Sequence, residues 1–298
     1  MMDLVVRTPR APQTGETVIG TSFNRFPGGK GANQAVAASR LGAAVTMAGK
    51  LGEDVFGDQF LSVLQEEGVC TKHILRDKTA STGIGSIVLD DAGNNRIVVV
   101  PGANMKYNLE DLAALADVFP AHDLLMLQLE MDVLVVQAAA QMAHRQGTKV
   151  VLNPAPAREL PGELLQVVDY LTPNETEAEL LTGVPVTDVD SARKAAALLL
   201  ERGPKHVVIT LGQNGALLAT HDLSLHVPGF AVDTVDTVAA GDAFNGALAV
   251  QIARDCPLEE AVHFANAVGA LSVTRPGAIP SLPKREEVEE FIRQARTA

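Results

Sequence analysis

Val235-Asp236-Thr237-Val238-Ala239-Ala240-Gly241-Asp242-Ala243-Phe244-Asn245-Gly246 is a turn of small residues that runs straight into an apolar, Ala-rich stretch. The pattern predicts a helix over residues 243–253. The first N–H groups of a helix have no partners inside it and form the positive end of its dipole. With almost no side chain on Ala239, Ala240 and Gly241, a phosphate can approach those groups closely. Asp242 stands at the same place. A carboxylate repels an anion, so it serves phosphate binding poorly. It does suit a base that takes the proton from a hydroxyl attacking a phosphoryl group. Asp also caps helices well, and these residues alone leave cap and base both open.

A second glycine-rich turn lies near the N-terminus, Gly28-Gly29-Lys30-Gly31-Ala32-Asn33, and leads into a helix of small residues over 34–41. It is not a Walker A loop. That pattern needs a glycine where Asn24 stands and Ser or Thr where Gly31 stands. Paired glycines let the backbone approach a compact polar ligand, while Lys30 brings a donor and Asn33 an amide that both donates and accepts.

Apolar strands at 124–129, 149–152, 169–171 and 206–211 alternate with helices at 133–146, 176–181 and 191–202. Paired strands at 216–220 and 223–227 follow, then helices at 243–253, 258–273 and 285–296. Residues 3–6 and 45–50 read as strands and 56–67 as a helix. The alternation predicts an α/β fold, a mostly parallel central sheet with helices on both faces. Ligands bind such sheets beyond the C-terminal ends of the strands. Residues 16–24 alternate in polarity, and 83–89 and 96–100 are β-rich runs joined by Asp90-Asp91-Ala92-Gly93-Asn94-Asn95, a hairpin signal. These fall outside the βα alternation and are expected to form a small lid sheet from strands near 14–25 and 83–101. No repeat or linker divides the chain, so one domain over 1–298 is expected.

The chain has 298 residues, 47% hydrophobic and 20% charged, enough for a sizeable core. A net charge of −12 with no basic stripe argues against nucleic acid as a partner. No run of 18 apolar residues suggests a membrane span, and the N-terminus lacks a signal-peptide pattern. Two distant cysteines, Cys70 and Cys256, fit free thiols in a reducing, cytoplasmic setting. The seven histidines show neither triad nor metal spacing.

Asp236-Thr237-Val238-Ala239-Ala240-Gly241-Asp242, followed by Phe244-Asn245-Gly246-Ala247, resembles the C-terminal signature of the ribokinase (PfkB-type) sugar kinases. Gly28-Gly29-Lys30-Gly31-Ala32-Asn33-Gln34-Ala35, with Gly42 and Gly52 downstream, is similar to the N-terminal signature of the same family. Two signatures in the right order are far more specific than one, and the resemblance runs over nearly the whole chain. It implies a ribokinase-like fold and transfer of the ATP γ-phosphoryl to the 5-hydroxyl of D-ribose. Asp242 would be the base, and the Ala239-Ala240-Gly241 amides the anion hole. Asp3, Gly29, Lys30, Asn33, Glu130 and Asp242 would hold the sugar. For the nucleotide the resemblance implies Asn174, the loop Thr210, Leu211, Gly212, Gln213, Asn214 and Gly215, the turn residues Ala240 and Gly241, and Asn266. Glu177 would act through water on Mg²⁺. Asp236, Val238, Ser272, Arg275, Gly277 and Ser281 would form a K⁺ site that orders the anion-hole turn. From the residues alone, Asn174-Glu175-Thr176-Glu177 is also a good helix start, and Thr210 to Gly215 an ordinary turn. The lid sheet exposes a face able to pair with a second copy, so a homodimer formed through the lid sheets is expected.

One departure matters. The family carries a strand ahead of Asp3, interior to the sheet and ending Asn-x-Asp; here Asp3 fits the Asp and Met1 stands where the Asn belongs. Without that strand, buried backbone groups of its neighbours would go unpaired, at about 1–3 kcal/mol each. Sugar affinity would suffer more than the fold. The alternatives are a kinase for another sugar such as 2-deoxyribose, or a non-catalytic sugar or nucleotide sensor.

Overall fold

In the computed structural model, which describes residues 1–295, side chains along the inner strands alternate between two apolar layers. The chain opens with β1 (Met2–Thr8) and β2 (Ser22–Pro27), then α1 (Lys30–Arg40), β3 (Thr46–Gly52), α2 (Val55–Glu66) and β4 (Cys70–Asp77). The hairpin strands β5 (Ile84–Asp90) and β6 (Asn95–Val100) follow, then the short α3 (Leu109–Ala113), β7 (Leu124–Leu127), α4 (Val133–Arg145) and β8 (Lys149–Leu152). Next come α5 (Gly162–Leu165), β9 (Tyr170–Leu171), α6 (Glu175–Thr182), α7 (Val189–Leu200), β10 (His206–Thr210), β11 (Ala216–Ala219) and β12 (Ser224–Val227). The chain closes with α8 (Ala240–Ala253), α9 (Leu258–Ser272) and α10 (Arg285–Ala295). The expected end of the last helix, Arg296, lies outside the described residues.

The main sheet runs β12-β11-β10-β9-β8-β7, parallel from β7 to β10 and antiparallel at β11 and β12. Val150 and Leu152 of β8 and Val207 and Ile209 of β10 point into the layer that includes α4 and α7. Val151 and Val208 point the other way, into the layer of α1, α8 and α9. That is the two-residue period of a strand buried on both faces.

α1 and α8 pack very closely. A methyl placed on Gly246 would stand 2.6 Å from Ala37 Cβ and 2.8 Å from Gln34 O. Only a residue without a side chain lets the two helices approach this far, and the approach brings the start of α1 under the start of α8.

The second sheet is four-stranded, β2-β1-β5-β6. The hairpin β5–β6 forms as the turn chemistry predicts, with Asp90 Oδ1 accepting the N–H groups of Ala92 and Asn94. Two expectations need correction. The strand read at 16–24 lies instead at Ser22–Pro27, because its register is set by pairing with β1, Met2 opposite Pro27 and Arg7 opposite Ser22. β1 itself belongs to this sheet, between β2 and β5. The sequence reading also passed over β4, which pairs parallel to β3 in a separate two-stranded sheet.

β3 and β7 are the facing edges of these two parts. Among the described residues no strand pairs with β7 on its outer side or with β3 on the side away from β4. Between them lies a cavity of about 740 Å³, lined by β3 and β7 and floored by Ala35 and Ala38 of α1 and Val250 of α8. Both edge strands are unpaired on that side among the described residues, and Met1 is among the residues that line the cavity. Extending the chain ahead of Met1 by an apolar, strand-forming segment should therefore raise the melting temperature by about 2–4 °C, the scale expected from recovering one to two kcal/mol in a chain of this size. Equal melting temperatures for the two lengths would show that the slot is not a strand site.

Candidate active site

The helix start read from the sequence is three residues early in the structure. α8 begins at Ala240, and its N-cap is Ala239, which adopts a left-handed φ of 61°. Asp242 is therefore not the cap; it sits in the first turn, where a carboxylate complements the dipole. The Ala240 N–H closes the turn onto Thr237 O at 3.3 Å, and the N–H groups of Gly241 and Asp242 have no acceptor among the described residues. Gly241 and Asp242 line a polar pocket of about 200 Å³ that also takes in Lys30, Asn174, Glu177 and Thr210. This is the donor arrangement an anionic group would enter.

Asp242 is only 6% exposed. Its Oδ2 accepts from Asn33 Nδ2 at 2.8 Å and its Oδ1 from Gln34 Nε2 at 3.0 Å, both from the first turn of α1. Burial pushes its carboxyl above the usual range, opposed by the Lys30 ammonium and these two amides. Asn33 Oδ1 is buried and has no partner, so it is open to a hydroxyl.

Asp3, Gly29, Lys30 and Glu130 gather on the side toward the smaller sheet. The Lys30 N–H donates to Glu130 Oε2 at 2.9 Å. The Met1 ammonium donates to Gly28 O at 3.0 Å. Asp3 is wedged against the glycine turn: a Cβ on Gly28 would fall 2.2 Å from Asp3 Oδ2, so glycine there makes the room for this carboxylate. Burial raises the carboxyl pKa of both Asp3 and Glu130, and the Met1 ammonium counters it in each. Two half-buried carboxylates beside an amide suit a ligand rich in hydroxyls.

On the other side, Asn174 and Glu177 form a reciprocal cap. Asn174 Oδ1 accepts from Glu177 N at 2.8 Å, and Glu177 Oε2 accepts from Asn174 N at 2.9 Å. Cap and pocket lining coincide, and burial raises the Glu177 carboxyl. Thr210 lines the pocket, and Leu211, Gly212, Gln213, Asn214 and Gly215, which lie outside its lining, lead on into β11, with Leu211 N donating to Gly215 O. The Asn266 side-chain NH₂ is spent on the carbonyls of Val227 and Pro228, so it braces the end of β12. Asp236 joins two loops, accepting from Val238 N at 3.0 Å and Gly277 N at 2.9 Å. Ser272 and Ser281 are fully buried, their hydroxyls donating to Gly269 O and Ala278 O. Arg275 pairs with Glu287, and so enters no cation site through its side chain.

The sequence reading passed over Gln34, Gln128, Asn153, Thr172 and Asn245, which lie beneath Asp242. Polar side chains inside otherwise apolar elements were the available signal.

Residues 1–285 match the family model of the pfkB family carbohydrate kinases. The chain belongs to that family. A ribokinase of Haemophilus influenzae is 41% identical to this kinase over 293 residues, covering 98% of the present chain and 96% of its own. A deoxyribokinase of Salmonella typhi is 38% identical with the same coverage. The solved structure of Arabidopsis thaliana ribokinase complexed with ribose and ATP superposes with a TM-score of 0.92 at 31% identity, covering 98% of this chain and 96% of that one.

A buried carboxylate with a raised pKa costs this kinase stability wherever it is ionised. Asp242→Asn should therefore raise the melting temperature of the unliganded protein at pH 8. Asn33 can turn its free Oδ1 to accept from the new amide. The gain should shrink as the pH falls through the raised pKa, since the wild-type group is then neutral too. Thermal melts of both proteins from pH 5 to 8 check this, and a gain that grows on acidification would contradict it.

Proposed function

We propose that this kinase transfers the γ-phosphoryl group of ATP to the primary 5-hydroxyl of D-ribose, forming ribose 5-phosphate. What carries the reading is the position of Asp242. It lies between sugar-side groups (Asp3, Gly29, Lys30, Asn33, Glu130) and the Gly241 and Asp242 N–H groups, in a pocket shared with Asn174 and Glu177. The full-length likeness to ribokinases supports it. In this reading the chain works as one domain whose four-stranded sheet serves as a lid.

Asp3, Glu130 and Asn33 hold the sugar hydroxyls, so that the attacking oxygen meets Asp242. Asp242 takes its proton as the bond to phosphorus forms and the bond to the ADP oxygen breaks. Charge developing on the transferred group is met by the N–H groups at the head of α8 and by the Lys30 ammonium. The loop from Thr210 to Gly215 lies along the ATP, with Asn266 bracing its neighbour β12.

Glu177 and Asn174 offer oxygen donors at the nucleotide end and fit a Mg²⁺ that keeps several waters and neutralises phosphate charge. The Asp236 carboxylate, with oxygens of Val238, Ser272, Arg275, Gly277 and Ser281, is a set of hard donors that fits K⁺. Asp236 already ties the turn before α8 to the Gly277 loop, so the ion's role would be to order that turn.

The deoxyribokinase relative favours 2-deoxyribose as a second substrate reading. ADP release with ribose, with 2-deoxyribose and with neither sugar separates the two. Ribose should give the highest kcat/KM, and ADP release indifferent to both sugars would leave only a sensor. In the same assay Asp242→Asn should lose at least about 10²-fold in kcat, the scale of general-base catalysis. Exchanging K⁺ for tetramethylammonium should lower the rate.

The net charge of −12 supports small-molecule partners rather than nucleic acid. No described helix is long and apolar enough to cross a membrane, and both cysteines are free, which supports a cytoplasmic setting. The lid leaves Phe23, Val98 and Val100 exposed on one side of the sheet, an apolar face that suits a second copy. Light scattering should report a dimer, and Val98→Asp should shift it toward monomer; a monomeric wild type would rule the dimer out.

A further inference from the structure

Gln34 is 1% exposed and polar, and apart from its neighbour Asn33 the buried residues of α1 are alanine and valine. Burying an amide there costs stability unless each of its groups is bonded, and each is. Its Nε2 donates to Asp242 Oδ1 at 3.0 Å and to Asn153 Oδ1 at 3.2 Å, and its Oε1 accepts from Gln128 Nε2 at 2.5 Å. The partners fix which end of the amide faces Asp242. Asn153 uses its own NH₂ on Thr172 O at 2.9 Å, so its oxygen is the end left for Gln34. Thr172 in turn donates to Asn245 Oδ1, and Asn245 Nδ2 holds Gly241 O at 2.8 Å in the first turn of α8. The chain of amides runs from the end of β7 to the head of α8 with consistent polarity, and its one contact with an ionisable group is Asp242.

We propose that Gln34 is a positioning residue for Asp242, its amide oriented by Gln128 and Asn153 so that the carboxylate is kept ionised and turned into the pocket. The inference rests on Asp242 being the base of the proposed reaction. Two other kinds of groups act on the same carboxylate. Lys30 from α1 and the Asn33 amide favour its charge, while that charge in turn raises the carboxyls of Glu130 beyond β7 and Glu177 from α6. Gln34 is the neutral donor that adds to Lys30 without drawing the sugar or nucleotide itself, so its loss should be felt in the protonation of Asp242 and not in binding.

The test is the pH dependence of kcat and kcat/KM for ribose, at saturating ATP and Mg²⁺, from pH 5 to 9. Gln34→Met removes the donor at similar length. The acid limb of kcat should rise by about one pH unit, with a roughly tenfold loss below the limb and KM for ribose within about twofold of wild type. Gln34→Glu should move the limb further, since two carboxyls would share a proton. Gln128→Met, which leaves Gln34 in place but frees its orientation, should shift the limb in the same direction by less. It carries the test alone if the Gln34 variants do not fold. An acid limb that stays at its wild-type position in the variants that fold, whatever the change in kcat or melting temperature, would reduce Gln34 to a packing role and overturn the proposal. An inactive Asp242→Asn with an unmoved limb would sink this inference alone, whereas normal turnover by Asp242→Asn would remove the base and its positioning residue together.

Discussion

A carboxylate almost wholly removed from water dominates the site, because ionising it there is expensive unless the protein replaces the lost solvent with fixed donors. Asp242 has two amides on its oxygens, a lysine close by, and the positive end of α8 at its back. The helix end is local, but the two amides and the lysine come from α1, more than 200 residues away in sequence. Those three depend on α1 being pressed against α8.

That packing is a matter of side-chain volume. α1 presents Ala35, Ala37 and Ala38, and α8 presents Gly246 and Ala247. With bulkier residues the helices would sit apart, and Asn33 and Gln34 would stop short of Asp242. The runs of small residues are therefore how the fold builds a reactive group from two segments more than 200 residues apart. The slot between β3 and β7 shows the opposite condition, two edges held apart with no strand pairing between them among the described residues. α1 and α8 floor that slot, so the helix pair carries the site's geometry across a break in the sheet.

Much of this was legible in the chain. The β/α alternation gave the parallel sheet, since strands buried on both faces leave unbroken apolar runs. The Asp90-to-Asn95 turn announced its hairpin through side chains that bond their own backbone. The two glycine-rich signatures, read together, placed Asn33 and Asp242 in one pocket. Other features were not readable locally. The register of β2 comes from β1, a partner set by tertiary pairing, and β4 carries mixed polarity because one of its faces is wet. The identity of the N-cap turned on a left-handed alanine, Ala239, a conformation no composition argument assigns to a non-glycine residue. The amide chain through Gln34 was invisible for a different reason. Each member is a single ordinary polar residue, and only its partners, spread from residue 34 to residue 245, give it meaning.

The four carboxyls raised by burial, on Asp3, Glu130, Glu177 and Asp242, also divide the labour of the site. Each is costly while the pocket is empty of ligand, and each is relieved by something that enters it. In the proposed reading, sugar hydroxyls donate to Asp3 and Glu130, a hydrated cation suits Glu177, and the attacking hydroxyl donates to Asp242. Any ligand that bonds the ionised form must lower that group's pKa, so binding and proton release are linked. Between the usual carboxylate range and the raised values, the unliganded protein holds protons that the liganded one gives up. Over that window affinity must increase with pH, because the more acidic solution favours the form the ligand cannot use. The strain of holding these groups away from water is thus not a defect left over from folding. It is the part of the stability that ligand binding recovers, and in the proposed reading it falls on the residues that recognise hydroxyls and metal.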